Sequence, residues 1–182
     1  MDWGTLVATV SGGFIAISGT VLADHLRQRH EKDRGAAERR RAVYIEFISA
    51  VGECHSRLRQ IAQDQDASLA PDRAARAALS EAAVHEVRER LFIDASAEVA
   101  GAGQAMFAQL RAVQRVVATG ATPTSAAFHE AYHPYLDAVW AYRVAVRKEL
   151  EDRTFAPESF GWDAWDGKGR CVICQGELTV GA

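Results

Sequence analysis

Between Trp3 and Ala23 the chain carries no charged side chain, and a dense run of arginine follows almost at once. A charge-free helix of about twenty residues is long enough to cross a bilayer core of about 30 Å. This pairing therefore restricts the chain more than any other feature, and residues 1–24 are predicted to be a transmembrane anchor. The stretch is only moderately apolar, because Gly, Ser and Thr make up close to half of it. Gly4, Ala8, Gly12, Ala16 and Thr20 recur every fourth residue and would form one narrow stripe of small side chains. Such a stripe lets two membrane helices approach closely, so it predicts self-association or docking on a helical partner. The competing reading is a weakly apolar helix buried in a soluble oligomer.

Orientation follows from charge. Asp2 is the only charged side chain before the span, whereas Arg27, Arg29, Lys32, Arg34, Arg39, Arg40 and Arg41 follow it, diluted by Glu31, Asp33 and Glu38. Lys and Arg beside a span stay cytoplasmic. The expected topology is single-pass in the inner (plasma) membrane, with the N-terminus outside and the body in the cytoplasm. A cleaved signal peptide would want its positive charge before the apolar run. Residues 25–41 form a basic juxtamembrane segment in which Arg27, Arg29, Arg39, Arg40 and Arg41 would meet anionic lipid. Nucleic acid is not expected as a partner, since no aromatic interleaves the run and the whole chain has a net charge of −3.

The rest of the 182 residues suffices for one domain with a modest core. Four prolines and abundant Ala, Glu, Arg, Leu and Gln favour helix almost throughout. Three cysteines in a body facing the cytoplasm argue against a disulfide framework.

Four helical stretches emerge from the apolar period within residues 42–153. Val43, Phe47, Ala50, Cys54, Leu58 and Ile61 form the first seam. Only Gly35 interrupts the basic run before it, so the anchor is expected to continue into this helix. Asp72 is expected to cap a second helix with Leu79, Ala83, Val87 and Leu91 on one face. Asp94 or Ser96 would cap a third, whose coiled-coil-like seam is Val99, Gly103, Met106, Leu110, Val113 and Val117. The fourth should start near Pro123 and place Phe128, Tyr132, Tyr135, Val139, Tyr142, Val146 and Leu150 on its seam. From residue 154 to 182 Pro, Gly, Trp and Asp replace Ala and Arg, which reads as an irregular tail. The fold class expected is all-α: a transmembrane helix continuing into an antiparallel bundle of about four helices.

An N-terminal span, a basic collar, the stretch from Leu91 to Val99 ahead of a long helix, and a final aromatic helix from Tyr132 to Leu150 resemble short, membrane-anchored helical proteins of actinobacteria. The resemblance implies an anchored helical protein and transfers no activity.

Two motifs carry possible chemistry. Residues 129–133 read H-E-A-Y-H, which places His129 and His133 one helical turn apart where both can ligate zinc, with Glu130 as general base of a hydrolase. Pro134 follows directly and should bend the helix there. Ala131 stands where zinc proteases usually carry a bulky apolar residue, and the only third ligand to name is Glu149, which is expected instead to pair with Arg153. Cys171 and Cys174 form a C-x-x-C, half of a zinc knuckle. His129 and His133 would complete a two-His, two-Cys site if the tail folded back onto the fourth helix. The leading expectation remains two ordinary thiols without a cofactor. A thioredoxin-like role would want C-x-x-C at a helix start after a strand, and neither is expected.

The expected function is thus a membrane-anchored, non-catalytic helical interaction protein, homo-oligomeric or bound to a helical partner, with no catalytic residues. Phe160, Trp162 and Trp165 are the expected partner epitope, because they lie outside any helical seam and aromatic anchors dominate interface energetics. The alternatives are a zinc hydrolase using His129, Glu130 and His133, and a metal or redox sensor built on Cys171 and Cys174.

Overall fold

The computed structural model describes the backbone of residues 3–64 and 70–180, and the side chains of residues 27, 29, 34–64 and 70–176. The described residues are helical with no strand. Among the described residues six α-helices follow one another: α1 (Trp3–Gln63), α2 (Pro71–Glu81), α3 (Val84–Asp94), α4 (Ala97–Ala118), α5 (Ala126–Glu151) and α6 (Val172–Val180). Two short 3-10 helices, Pro157–Phe160 and Lys168–Arg170, lie between α5 and α6. The chain divides into two compact units, residues 1–39 and residues 40–182.

In the first unit the backbone is helical from Trp3 onward, and the helix runs on through Gly35 of the basic segment as expected. Among the described residues no helix is long and apolar enough to cross a membrane, so nothing in them supports the transmembrane expectation. The anchor expected over residues 1–24, with its stripe Gly4, Ala8, Gly12, Ala16 and Thr20, lies outside the residues whose side chains are described.

The second unit is the expected up-down bundle. Chain direction can be read from paired residues. On α1, Tyr44 meets Glu149 while His55 stacks on Tyr135 and Tyr132, so α5 runs antiparallel to α1. Arg57 pairs with Glu81 and Glu46 with Arg90, so α2 and α3 also descend against α1. Ser96 and Glu98 at the start of α4 meet Glu149 and Lys148 at the end of α5. The core is continuous and draws Phe47, Val51 and Leu58 from α1, Leu79 and Leu91 from α2 and α3, Met106, Leu110 and Val113 from α4, and Phe128, Tyr135 and Tyr142 from α5.

Two expected boundaries move. The second helix is broken at Ala82–Ala83, where Ala83 adopts a left-handed φ of 51°. Only Ala83 leaves the expected face: it points to solvent while Ala82 and Val84 beside it are buried, and Leu79, Val87 and Leu91 are buried as expected. Asp72 is not the cap, because Pro71 occupies the first turn and Asp72 pairs with Arg76 at 2.5 Å. Likewise α5 starts after Ser125, not at Pro123, with the Ser125 hydroxyl accepting from the Phe128 N–H at 3.3 Å. Ser96 caps α4 as expected, accepting from Val99 N–H at 3.3 Å.

Gly103 of α4 sits where Leu91, Phe47 and Tyr142 converge. A Cβ there would overlap Leu91 Cδ2 and lie 3.2 Å from Phe47 Cε1. All three neighbours are fully buried and cannot withdraw freely. Overpacking of this kind costs about 1–3 kcal/mol, against a helix-propensity gain of about 1 kcal/mol for Gly→Ala. Gly103→Ala is therefore expected to lower unfolding stability by about 1 kcal/mol in urea melts. A stabilised variant would contradict the close approach.

His55 is held between α1 and α5, stacked at 4.7 Å on Tyr135 and 5.4 Å on Tyr132, with Nε2 buried and unpartnered. Burial pushes its pKa down to about 4, with Arg59 adding to the effect. The folded state thus resists protonation that the unfolded chain accepts near pH 6.5. The contribution is complete above that pH and is lost as pH falls toward 4, an effect on the order of 2–3 kcal/mol. His55→Phe keeps the stacking and should flatten that part of the stability–pH curve. An unchanged acid limb would show that His55 does not titrate this way.

Candidate metal centre

The alanine-rich start of α5 carries His129 and His133 four residues apart, hence on one face. Their ring centroids lie 5.6 Å apart. His133 is 2% exposed, and His129 is half-buried. Pro134 lies inside α5, which continues as helix to Glu151 although proline offers no N–H to the Glu130 carbonyl.

The tail is not irregular throughout. Gly161 and Gly167 take left-handed φ values of 67° and 72°, which glycine adopts without strain and which turn the chain back along α5. A Cβ on Gly167 would stand 3.3 Å from Leu136 Cδ1, so the return is close. Cys171 ends the second 3-10 helix and Cys174 lies in the first turn of α6. The C-x-x-C therefore does open a helix, contrary to expectation, although no strand precedes it among the described residues.

This path brings the two motifs together. His133 Nε2 lies 3.2 Å from Cys174 Sγ, and His129 Nδ1 lies 3.3 Å from Cys171 Sγ. The remaining ring nitrogens meet backbone carbonyls: His133 Nδ1 with Asp166 O at 2.6 Å, and His129 Nε2 with Pro123 O at 2.9 Å. A carbonyl only accepts, so those nitrogens carry the protons and the nitrogens facing sulfur present lone pairs. One ligand atom from each of His129, His133, Cys171 and Cys174 lies within 4.8 Å of the others. Two imidazoles and two thiols are a donor set suited to structural zinc. The backbone N–H of Cys174 lowers the Cys171 thiol pKa, with smaller help from His133. Cys54, buried on the α1 seam, is pushed the other way to about 12 by desolvation and is inert.

Aromatic packing holds the same tail to the same helix. Trp165 stacks on Trp140 of α5 at 4.4 Å and 12°, while Phe155, Phe160 and Trp162 surround Trp140 at 5.2–5.8 Å. The Arg170 guanidinium lies 3.8 Å over Trp162, and Arg143 lies 4.6 Å over Trp140. Of the three aromatics expected to form a partner epitope, Trp162 and Trp165 are half-buried in this cluster, and Phe160 remains 48% exposed.

The other expected site residues are not among these donors. Arg27, Arg29, Arg39, Arg40 and Arg41 are all exposed, and Arg40 reaches Glu149 at 3.5 Å. Glu149 does not pair with Arg153 as expected. Its carboxylate, 17% exposed, accepts from Tyr44 at 2.9 Å and from Ser96 at 2.5 Å. Sixteen residues along the same helix separate it from His133, about 24 Å, so it cannot join the cluster. Sequence reasoning missed Trp140 as the centre of the aromatic cluster and the carbonyls of Pro123 and Asp166 as histidine partners. Backbone acceptors leave no mark in a sequence.

Trp140→Ala removes the platform on which the tail aromatics rest. Limited proteolysis is expected to cut within residues 154–170 faster than in the parent chain, with the bundle fragment surviving. Equal cutting rates would show that the cluster does not hold the tail.

No protein-family model, no curated protein and no solved structure matches this chain, so its own geometry carries the functional reading.

Proposed function

We propose that the chain is a non-catalytic helical interaction protein, tethered to the plasma membrane by residues 1–24 with its bundle on the cytoplasmic side. The observation that carries the non-catalytic part is the state of the H-E-A-Y-H motif. Both histidines have one ring nitrogen on a carbonyl and the other on a cysteine sulfur. A catalytic zinc needs a position open to water beside three protein ligands, and here four protein donors converge. Glu130, the would-be base, is exposed and is not among those donors.

The tether is supported by sequence: a charge-free run from Trp3 to Ala23, then seven Lys and Arg residues between Arg27 and Arg41. An interaction role is supported by large apolar side chains left on the bundle surface. Ile93 is 81% exposed and Ile45 56%, with Phe92 at 40%.

Two measurements test this reading. The full chain should remain in the membrane pellet through an alkaline carbonate wash; release into the supernatant overturns the tether. Glu130→Gln should leave the protein's fold and behaviour unchanged, and any peptide- or ester-cleaving activity that disappears with this substitution overturns the non-catalytic assignment.

A further inference from the structure

The geometry points to a closed, structural zinc site in which His129 Nδ1, His133 Nε2 and the sulfurs of Cys171 and Cys174 hold one Zn²⁺ and fasten the C-terminal segment to α5. The inference stands apart from the membrane tether, which it neither uses nor supports.

The first argument is convergence. Two independent thiol–imidazole hydrogen bonds would satisfy His129 with Cys171 and His133 with Cys174, yet nothing in two separate bonds requires the pairs to meet. Here all four ligand atoms fall within 4.8 Å of one another. A tetrahedron with Zn–S of about 2.3 Å and Zn–N of about 2.0–2.1 Å has edges of roughly 3.3–3.8 Å. The nitrogen–sulfur separations of 3.2 and 3.3 Å are already at that scale.

The second argument is the carbonyl behind each ring. Metal-bound histidines usually donate their other N–H to a carbonyl or carboxylate, which fixes the tautomer and aims the lone pair. Both histidines do so, through Asp166 and Pro123, and from opposite ring positions. The lone pairs left on His133 Nε2 and His129 Nδ1 thereby both face the cysteine sulfurs in the space between helix and tail.

The third argument is the match of ion to donors. Hard cations such as Mg²⁺ and Ca²⁺ take oxygen ligands, whereas paired thiolates and imidazoles in a tetrahedral array suit zinc. Loading balances as two thiols plus Zn²⁺ giving a zinc dithiolate and two protons released to solvent. The loaded site is electrically neutral, which suits the buried position of His133. With four protein ligands the ion is structural: its effect is to close the loop from His133 to Cys171 and so to hold the tail against α5.

The test uses the full chain stripped with a chelator and titrated with Co²⁺, then Zn²⁺. One equivalent of Co²⁺ should give the visible bands of a tetrahedral ion together with near-ultraviolet thiolate charge transfer, and one equivalent of Zn²⁺ should bleach both. Cys174→Ser should abolish stoichiometric binding while far-ultraviolet circular dichroism stays helical, and Cys54→Ser should change neither. Zinc should also slow proteolysis within residues 154–170 of the parent chain. Absence of a thiolate–Co²⁺ band in the parent chain, or a band that survives Cys174→Ser, overturns the site. Neither result would move the carbonate or Glu130→Gln outcomes, so the two readings fail separately.

Discussion

The bundle depends on one missing side chain. At Gly103 the α4 backbone is bare, and Phe47 from α1, Leu91 from α3 and Tyr142 from α5 all close on that spot. Four helices can meet at one level only because one of them contributes no volume there. The neighbouring contacts follow from that approach. Phe47 and Tyr142 pack edge to face at 5.4 Å, and the Tyr142 hydroxyl then reaches the Tyr44 carbonyl at 3.2 Å. Two turns of α5 further on, Glu149 gathers Tyr44 and Ser96 and so ties the end of α5 to α1 and to the start of α4. Burial raises the Tyr44 hydroxyl pKa to about 12, with the Glu149 carboxylate adding to it, so the hydroxyl remains a donor across the physiological range.

α5 works on two faces. Its inner seam of Phe128, Tyr135, Val139 and Tyr142 lies in the bundle core. Its other face carries His129, His133, Leu136 and Trp140, and each of these meets the tail. An aromatic on this second face contributes without a continuous core beneath it, because stacked and edge-on rings and the arginines above them add roughly 0.5–1.5 kcal/mol per contact. His133 belongs to both regions: it is fully buried, yet both ring nitrogens point to the tail.

Period made the bundle readable from sequence. Val43, Phe47, Ala50, Cys54 and Leu58 on α1, and all six seam positions of α4, are buried, because a helix facing one core must repeat its apolar residues at its own turn. The break at Ala83 was illegible, since alanine in a left-handed conformation carries no Gly or Pro signal and tertiary packing overrode propensity. The metal ligands could be named from their spacing. Their meeting could not, because it depends on turns at Gly161 and Gly167 and on Trp140 receiving Trp165. α6 was missed because nine residues with Gly176 in their midst show too little period to separate from a loop.

The tail meets the body along α5, and no described residue beyond Leu150 belongs to the hydrophobic core of the bundle. The last segment is therefore a graft on a finished architecture. Selection can rewrite, exchange or lengthen it without repacking Phe47, Leu91 or Met106. Equally, substitutions that tune the core leave the graft in place so long as one strip of one helix keeps its histidines and its tryptophan. The two parts share a chain but place separate demands on its sequence.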